Sequence, residues 1–165
     1  YRLSYASYRT DNPKDAMEHA RQALRLAGGD SPFYQLNLGE RLLDAGQAGE
    51  AILQLERSVK QTPDRLTPHV RLGYAYLLNG DADAALRELT AAEKLKPSER
   101  ELERGVDLLL KIDLARVHAL KGNDKDALKS LKALEKAGSL EKKDLEAPEF
   151  GKLRETPEFK KLKAI

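Results

Sequence analysis

The sequence predicts an all-α chain, a solenoid of stacked antiparallel helix pairs. Three observations predict it. First, Ser31–Ser98 reads as two lines of 34 residues that match. Leu38 falls on Leu72, Gly39 on Gly73, Gly46 on Gly80, Ala51 on Ala85, Leu55 on Leu89 and Pro63 on Pro97. Second, leucine and alanine recur at helical spacing within each line, and glycine and proline interrupt the run. Third, charged residues make up 34% of the chain and aromatics only 5%, which suits a helical solenoid better than a sheet.

Each line divides into two helices. Leu38, Leu42 and Ala45 share one face until Gly46. Ala51, Leu55 and Val59 resume the period until Pro63. Gly39 and Ala51 lack bulk, so the two helix axes can approach closely. Pro63 and Pro97 cannot continue a helix and mark the start of the next antiparallel one. A single pair cannot bury its own apolar face, so pairs must stack on their neighbours.

A period of about 34 with leucine-glycine, alanine and proline at these spacings resembles the tetratricopeptide repeat family. The resemblance implies a right-handed superhelical solenoid and a protein-binding role. It covers most of the chain. Tyr1–Gly28 reads as a first repeat, with Leu3 under Leu72, Ser4 in place of the glycine and Ala16 under Ala85. Asn12-Pro13 is a cap followed by proline, a good helix start. Met17, Ala20, Ala23 and Leu26 form the expected buried stripe, and Ser31-Pro32 opens the next helix. The family's early tryptophan is absent; Gln35 and His69 stand there.

Repeat four is stretched. Leu114 corresponds to Leu72, Ala115 to Gly73 and Ala127 to Ala85, an offset of 42 residues. The extra residues follow Pro97, where Ser98 and Glu101 make a capping box. Leu102, Val106, Leu109 and Leu110 keep helical spacing, which predicts one long helix, Ser98–Leu120. The alternative is a break at Gly105. After Gly138 come two similar units, Pro148–Leu153 and Pro157–Leu162, each with phenylalanine and leucine one turn apart. They resemble the short closing segment of bacterial members, a cap on the last repeat. The expected organisation is one domain, 1–165. Its repeats are approximately 1–30, 31–64, 65–97 and 98–138, and its capping helices lie at 139–165.

The sequence carries little chemistry. His19, His69 and His118 form no ligand-spaced pair, and no phosphate-binding glycine loop is present. His118 stands where Tyr76 stands in repeat three, a packing position. Asp81, Asp83, Asp124 and Asp126 cluster at helix starts, where they complement the helix dipole. There is no cysteine, hence no disulfide or thiolate site, which fits the cytoplasm and the periplasm alike. No catalytic residue, metal or cofactor is expected, and the chain reads as non-enzymatic. The net charge is +2 with both signs mixed, so no nucleic-acid partner is expected. No apolar run is long enough to span a membrane. The chain begins at Tyr1 without methionine, which suggests a processed or trimmed product.

The family resemblance also locates a binding face. First helices line a concave groove with their second, fifth, ninth, twelfth and thirteenth positions. With Gly39 and Gly73 as position eight, repeat two offers Phe33, Leu36, Glu40 and Leu43. Repeat three offers Val70, Tyr74 and Leu77. Repeat one offers Tyr5 and Tyr8, and repeat four Ile112 and Arg116. This set is apolar and aromatic, as a partner-binding surface is; the alternative is that the chain's own tail covers it. Asn37 and Arg71 fall on two of five positions used by family members that clamp a chaperone's C-terminal carboxylate. Tyr1, Tyr5 and Thr67 occupy the others, so that ligand is not implied. The expected function is an adaptor, scaffold or assembly factor holding a partner peptide or helix in an apolar, tyrosine-lined groove. The alternative is a self-associating or structural module, through the long fourth-repeat helix or the tail, or a fragment of a larger protein with an activity elsewhere.

Overall fold

The structure, a computed structural model, describes residues 12–165. Tyr5 and Tyr8, and the first helix expected before Asn12, lie outside the described residues. Every regular element among the described residues is helical. Helix α1 spans Pro13–Leu26, α2 Pro32–Asp44, α3 Ala48–Gln61, α4 Leu66–Leu78 and α5 Ala82–Glu93. They are followed by α6 Glu99–Glu103, α7 Val106–Leu120 and α8 Asp124–Lys136. Three short 3-10 turns, Lys142–Glu146, Pro148–Phe150 and Leu153–Glu155, lead to the single turn α9, Pro157–Lys160.

The helix starts follow local rules. The Asn12 side chain accepts from the amides of Lys14 and Asp15, ahead of Pro13 in the first turn. Asp81 caps α5 through the Ala84 amide at 2.9 Å. Thr156 caps α9 through the Phe159 amide at 3.3 Å. Between the helices of each pair, Gly46, Gly80 and Gly122 have φ between 72° and 82°, a conformation that costs glycine little.

Helices α2 and α3 pack as one pair, α4 and α5 as the next, and α7 and α8 as a third. Consecutive pairs join through α3 against α4 and α5 against α7, and the first helices also touch, α2 to α4 and α4 to α7. This is a tetratricopeptide-like solenoid. Its core is continuous but falls into three clusters. Met17, Ala20, Leu38, Leu55 and Leu72 fill the first. Val70, Leu77, Leu89, Leu110 and Leu114 fill the second. Ala115, Leu131, Leu134, Phe150 and Phe159 fill the third. Each such leucine contributes roughly 1.5–3 kcal/mol by leaving water. Polar ties add to this: Ser58 Oγ donates to the Pro32 carbonyl at 2.9 Å, which locks α3 to the start of α2.

Two expectations need correction. The buried stripe of α1 is Ala16, Met17, Ala20, Ala23 and Leu24, while Leu26 is 77% exposed. Leu26 lies two residues beyond Leu24, about 200° round the helix, and so faces water. The long helix Ser98–Leu120 is also divided. Gly105 adopts φ 64°, ψ 28° between α6 and α7, and its amide closes a turn onto the Leu102 carbonyl at 2.9 Å. The left-handed residue ends α6 and redirects the chain.

Candidate partner-binding groove

A groove of about 940 Å³ runs between α2, α4 and α6. Phe33, Leu36, Glu40 and Leu43 reach it from α2, and Tyr74 from α4. These come together because α2 and α4 are successive first helices lying side by side, so equivalent positions align. Phe33 is 50% exposed, and its ring meets Tyr34 edge to face at 5.3 Å.

The remaining expected positions lie elsewhere. Val70 and Leu77 are 1% and 5% exposed, packed into the second core cluster. Helix α4 is apolar on opposite faces because α3 covers one side, and α5 with α7 the other. Both residues therefore belong to the repeat-to-repeat core and not to an open wall. Ile112 is half-buried against the cluster that holds the tail. Arg116 is engaged by the tail directly, since its Nη2 donates to Glu149 Oε1 at 2.7 Å. The tail thus covers the fourth-repeat end of the surface, and among the described residues no segment covers the part over repeats two and three.

Tyr74 sits at the junction. The Arg116 guanidinium lies 5.4 Å from its ring centroid, a cation–π contact. Arg116 Nη1 also donates to Asp113 Oδ1 at 3.2 Å. Burial pushes the Asp113 carboxyl up to about 7 despite that arginine. Burial also opposes ionisation of Glu149, yet the bond to Arg116 holds its carboxyl below the usual range.

The groove is more cationic than an apolar reading suggests. Arg41, Arg65, Arg71, Arg100 and Arg104 line it, with Asn37 among them. Glu40 accepts from Arg71 Nε at 2.9 Å and has Arg104 at 3.9 Å. Glu101 secures the far wall. One oxygen accepts from the Ser98 amide at 2.9 Å and hydroxyl at 2.7 Å. The other accepts from the Thr67 amide at 2.9 Å and hydroxyl at 2.8 Å. Burial opposes the charge, but the four donors together hold the carboxyl down to about 2. The capping box read from the sequence is present, and its glutamate also joins α6 to the start of α4.

Sequence reasoning missed Arg65, Arg100 and Arg104. Arg65 precedes the first helix of its repeat, and the other two lie in the insertion after Pro97, outside the repeat register. Position counting could not reach them. Among the described residues, no cluster of three or more histidine, cysteine or acidic side chains is arranged to hold a metal. No helix there is long and apolar enough to cross a membrane.

Comparison with known proteins agrees with this architecture. Residues 42–106 match the family model for the tetratricopeptide repeat. The chain is similar to mouse (Mus musculus) DnaJ homolog subfamily C member 3, 32% identical over 121 residues, which are 72% of this chain and 23% of that protein. It is 38% identical over 78 residues to the human (Homo sapiens) protein of the same name, 46% of this chain and 15% of that one. The chain therefore spans less than a quarter of the length of these relatives. The matched segment runs from α2 into α7, and the same helix-pair architecture continues on either side of it: this chain carries tetratricopeptide repeats.

Proposed function

We propose that the chain is a non-enzymatic protein-interaction module that holds a peptide or helix of a partner in the groove between α2, α4 and α6. The observation that carries this reading is the row formed by Phe33, Leu36, Leu43 and Tyr74, which lies along one open groove on two adjacent repeats. Apolar and aromatic side chains gathered in a concave site can bury a partner's anchors. Asn37 lines the same groove, and its buried carbonyl oxygen has no hydrogen-bond partner among the described residues. Repeats two and three supply the open site, while the tail serves as the end cap of repeat four. Self-association through the tail ranks behind this reading, because Phe150, Leu153 and Phe159 are already buried within the chain.

Affinity capture from the source organism, quantified by mass spectrometry, tests it. Phe33→Ala and Tyr74→Ala should each weaken capture of a specific partner by roughly 1–3 kcal/mol, as truncated interface aromatics do. Leu53→Ala, a change at an exposed leucine of α3, should leave it intact. Circular dichroism verifies the fold of each variant. Equal capture by all folded variants would mean that partners bind elsewhere.

A further inference from the structure

We propose that the partner segment is acidic, an internal stretch whose carboxylates pair with Arg65 and Arg100 while an adjacent aromatic side chain lies against Phe33 and Leu36. The proposal rests on the groove reading above and names the chemistry of its ligand.

The first argument is an inventory of donors and acceptors. Of the groove's acids, Glu101 is fully taken up by Ser98 and Thr67. Asp44 pairs with Arg41 at 2.8 Å. Glu40 is shared between Arg71 and Arg104. Only Asp64 is left, an exposed carboxylate beside Arg65. Arg65 and Arg100 are exposed and make no ion pair among the described residues, and Arg104 meets Glu40 only at 3.9 Å. Arginine presents five N–H donors in a fork suited to carboxylate. Among the described residues the groove thus has guanidinium donors in surplus and few acceptors to meet them.

The second argument is the chain's own tail. Glu40, Tyr74 and Arg116 are equivalent positions of successive first helices. At the third of these, the surface is occupied by the tail's Glu149 on Arg116 at 2.7 Å, with Phe150 beside it fully buried. The tail thus sets an acid on the arginine at this position, while the next residue, Phe150, packs into the end cluster with Ala115, Leu131 and Leu134. The open part repeats the ingredients: arginines along one side, Phe33 and Leu36 along the other. The tail docks through mid-chain residues, so the recognition needs no free carboxyl terminus.

Calorimetric titration with synthetic peptides tests this. The probe is an octapeptide containing two Glu-Phe pairs, acetylated and amidated so that neither end is charged. Its counterparts carry glutamine or lysine in place of glutamate. The acidic peptide should bind, and the glutamine peptide should bind about tenfold more weakly or not at all. Arg65→Ala with Arg100→Ala should weaken the acidic peptide by about tenfold. The control pair Arg57→Ala with Arg87→Ala has the same charge change on exposed sites of α3 and α5, and it should leave binding within about twofold. If the glutamine or lysine peptide binds as tightly as the acidic one, carboxylate recognition is wrong although the groove still binds peptides. If both double variants lose affinity equally, the effect is overall charge and the proposal fails. If the acidic peptide does not bind at millimolar concentration, an acidic ligand is ruled out. The groove reading would then still be judged by capture with Phe33→Ala.

Discussion

A β-carbon placed on Gly73 would lie 2.6 Å from Cγ and Cδ2 of Leu89. Gly39 stands in the same relation to Leu55 one repeat earlier, with a Cγ separation of 2.6 Å. Both leucines are completely buried, so neither can swing away. Gly73→Leu should therefore destabilise by about 1–3 kcal/mol or more. Lys129→Ala, an exposed change, should stay within about 0.5 kcal/mol. Equal urea midpoints for the two variants would refute the close crossing of α4 and α5.

Gly105 separates α6 from α7 with φ 64°, a conformation that L side chains resist. Gly105→Ala should lower stability by about 1 kcal/mol, although alanine is the better helix former. Thermal melts followed at 222 nm provide the measurement. A gain in both helicity and melting temperature would show that the break between α6 and α7 is only marginally preferred over one long helix.

The tail covers apolar surface of the last pair. Phe150 is fully buried among Ala115, Leu131 and Leu134, and its ring lies 5.7 Å from that of Phe159. Phe150→Ala should cost about 3–5 kcal/mol. Deleting residues 140–165 should lower the melting temperature and promote aggregation. A truncated chain that melts unchanged and stays monomeric would rule out the capping role.

His69 Nδ1 lies 2.8 Å from Glu88 Oε2 and its Nε2 3.1 Å from the Pro63 carbonyl oxygen, two acceptors that the protonated ring would satisfy together. The bond to Glu88 raises its pKa above 6.5, although burial opposes this. Because the folded value exceeds the unfolded one, the stabilisation is complete below about pH 6.5. It is lost as pH rises through the folded value. The stability difference between wild type and His69→Gln should shrink from pH 6 to pH 9. A constant difference in urea melts would mean that His69 does not carry the charge.

Glu101 behaves in the opposite sense. Its folded pKa of about 2 lies below the ordinary 4.5. Its contribution is therefore complete above about pH 4.5 and lost as pH falls toward 2. Glu101→Gln would turn an amide donor toward groups that themselves donate, and it should cost about 1.5–3 kcal/mol at pH 7. That cost should narrow at pH 3. A variant as stable as wild type at pH 7 would show that the link between α6 and Thr67 is weak.

The repeat was legible because its determinants are local. Helical spacing, Gly46 and Gly80 at turns, Pro63 and Pro97 at boundaries, and the cap at Asn12 act within a few residues. Part of the groove was legible for the same reason: Phe33, Leu36, Glu40, Leu43 and Tyr74 follow from counting along two unstretched repeats. The break at Gly105 was harder to read. Helical spacing of Leu102, Val106, Leu109 and Leu110 survives the turn, and only the backbone of one residue distinguishes one helix from two.

The sequence by itself determined an all-α chain of paired helices at a 34-residue period, and which helix of each pair comes first. Those properties rest on short-range sterics and on the periodicity of apolar side chains. Tertiary structure decided which apolar faces remain open. Val70 and Leu77 have the same chemistry as Leu36 and Leu43, but α5 and α7 close over the first two, while the second two are only partly buried and line the groove among the described residues. It also decided that the tail would claim Arg116, and that Arg65, Arg100 and Arg104 would face one groove. Burial and charge pairing depend on which distant segments meet, and a spacing pattern along the chain does not contain that information.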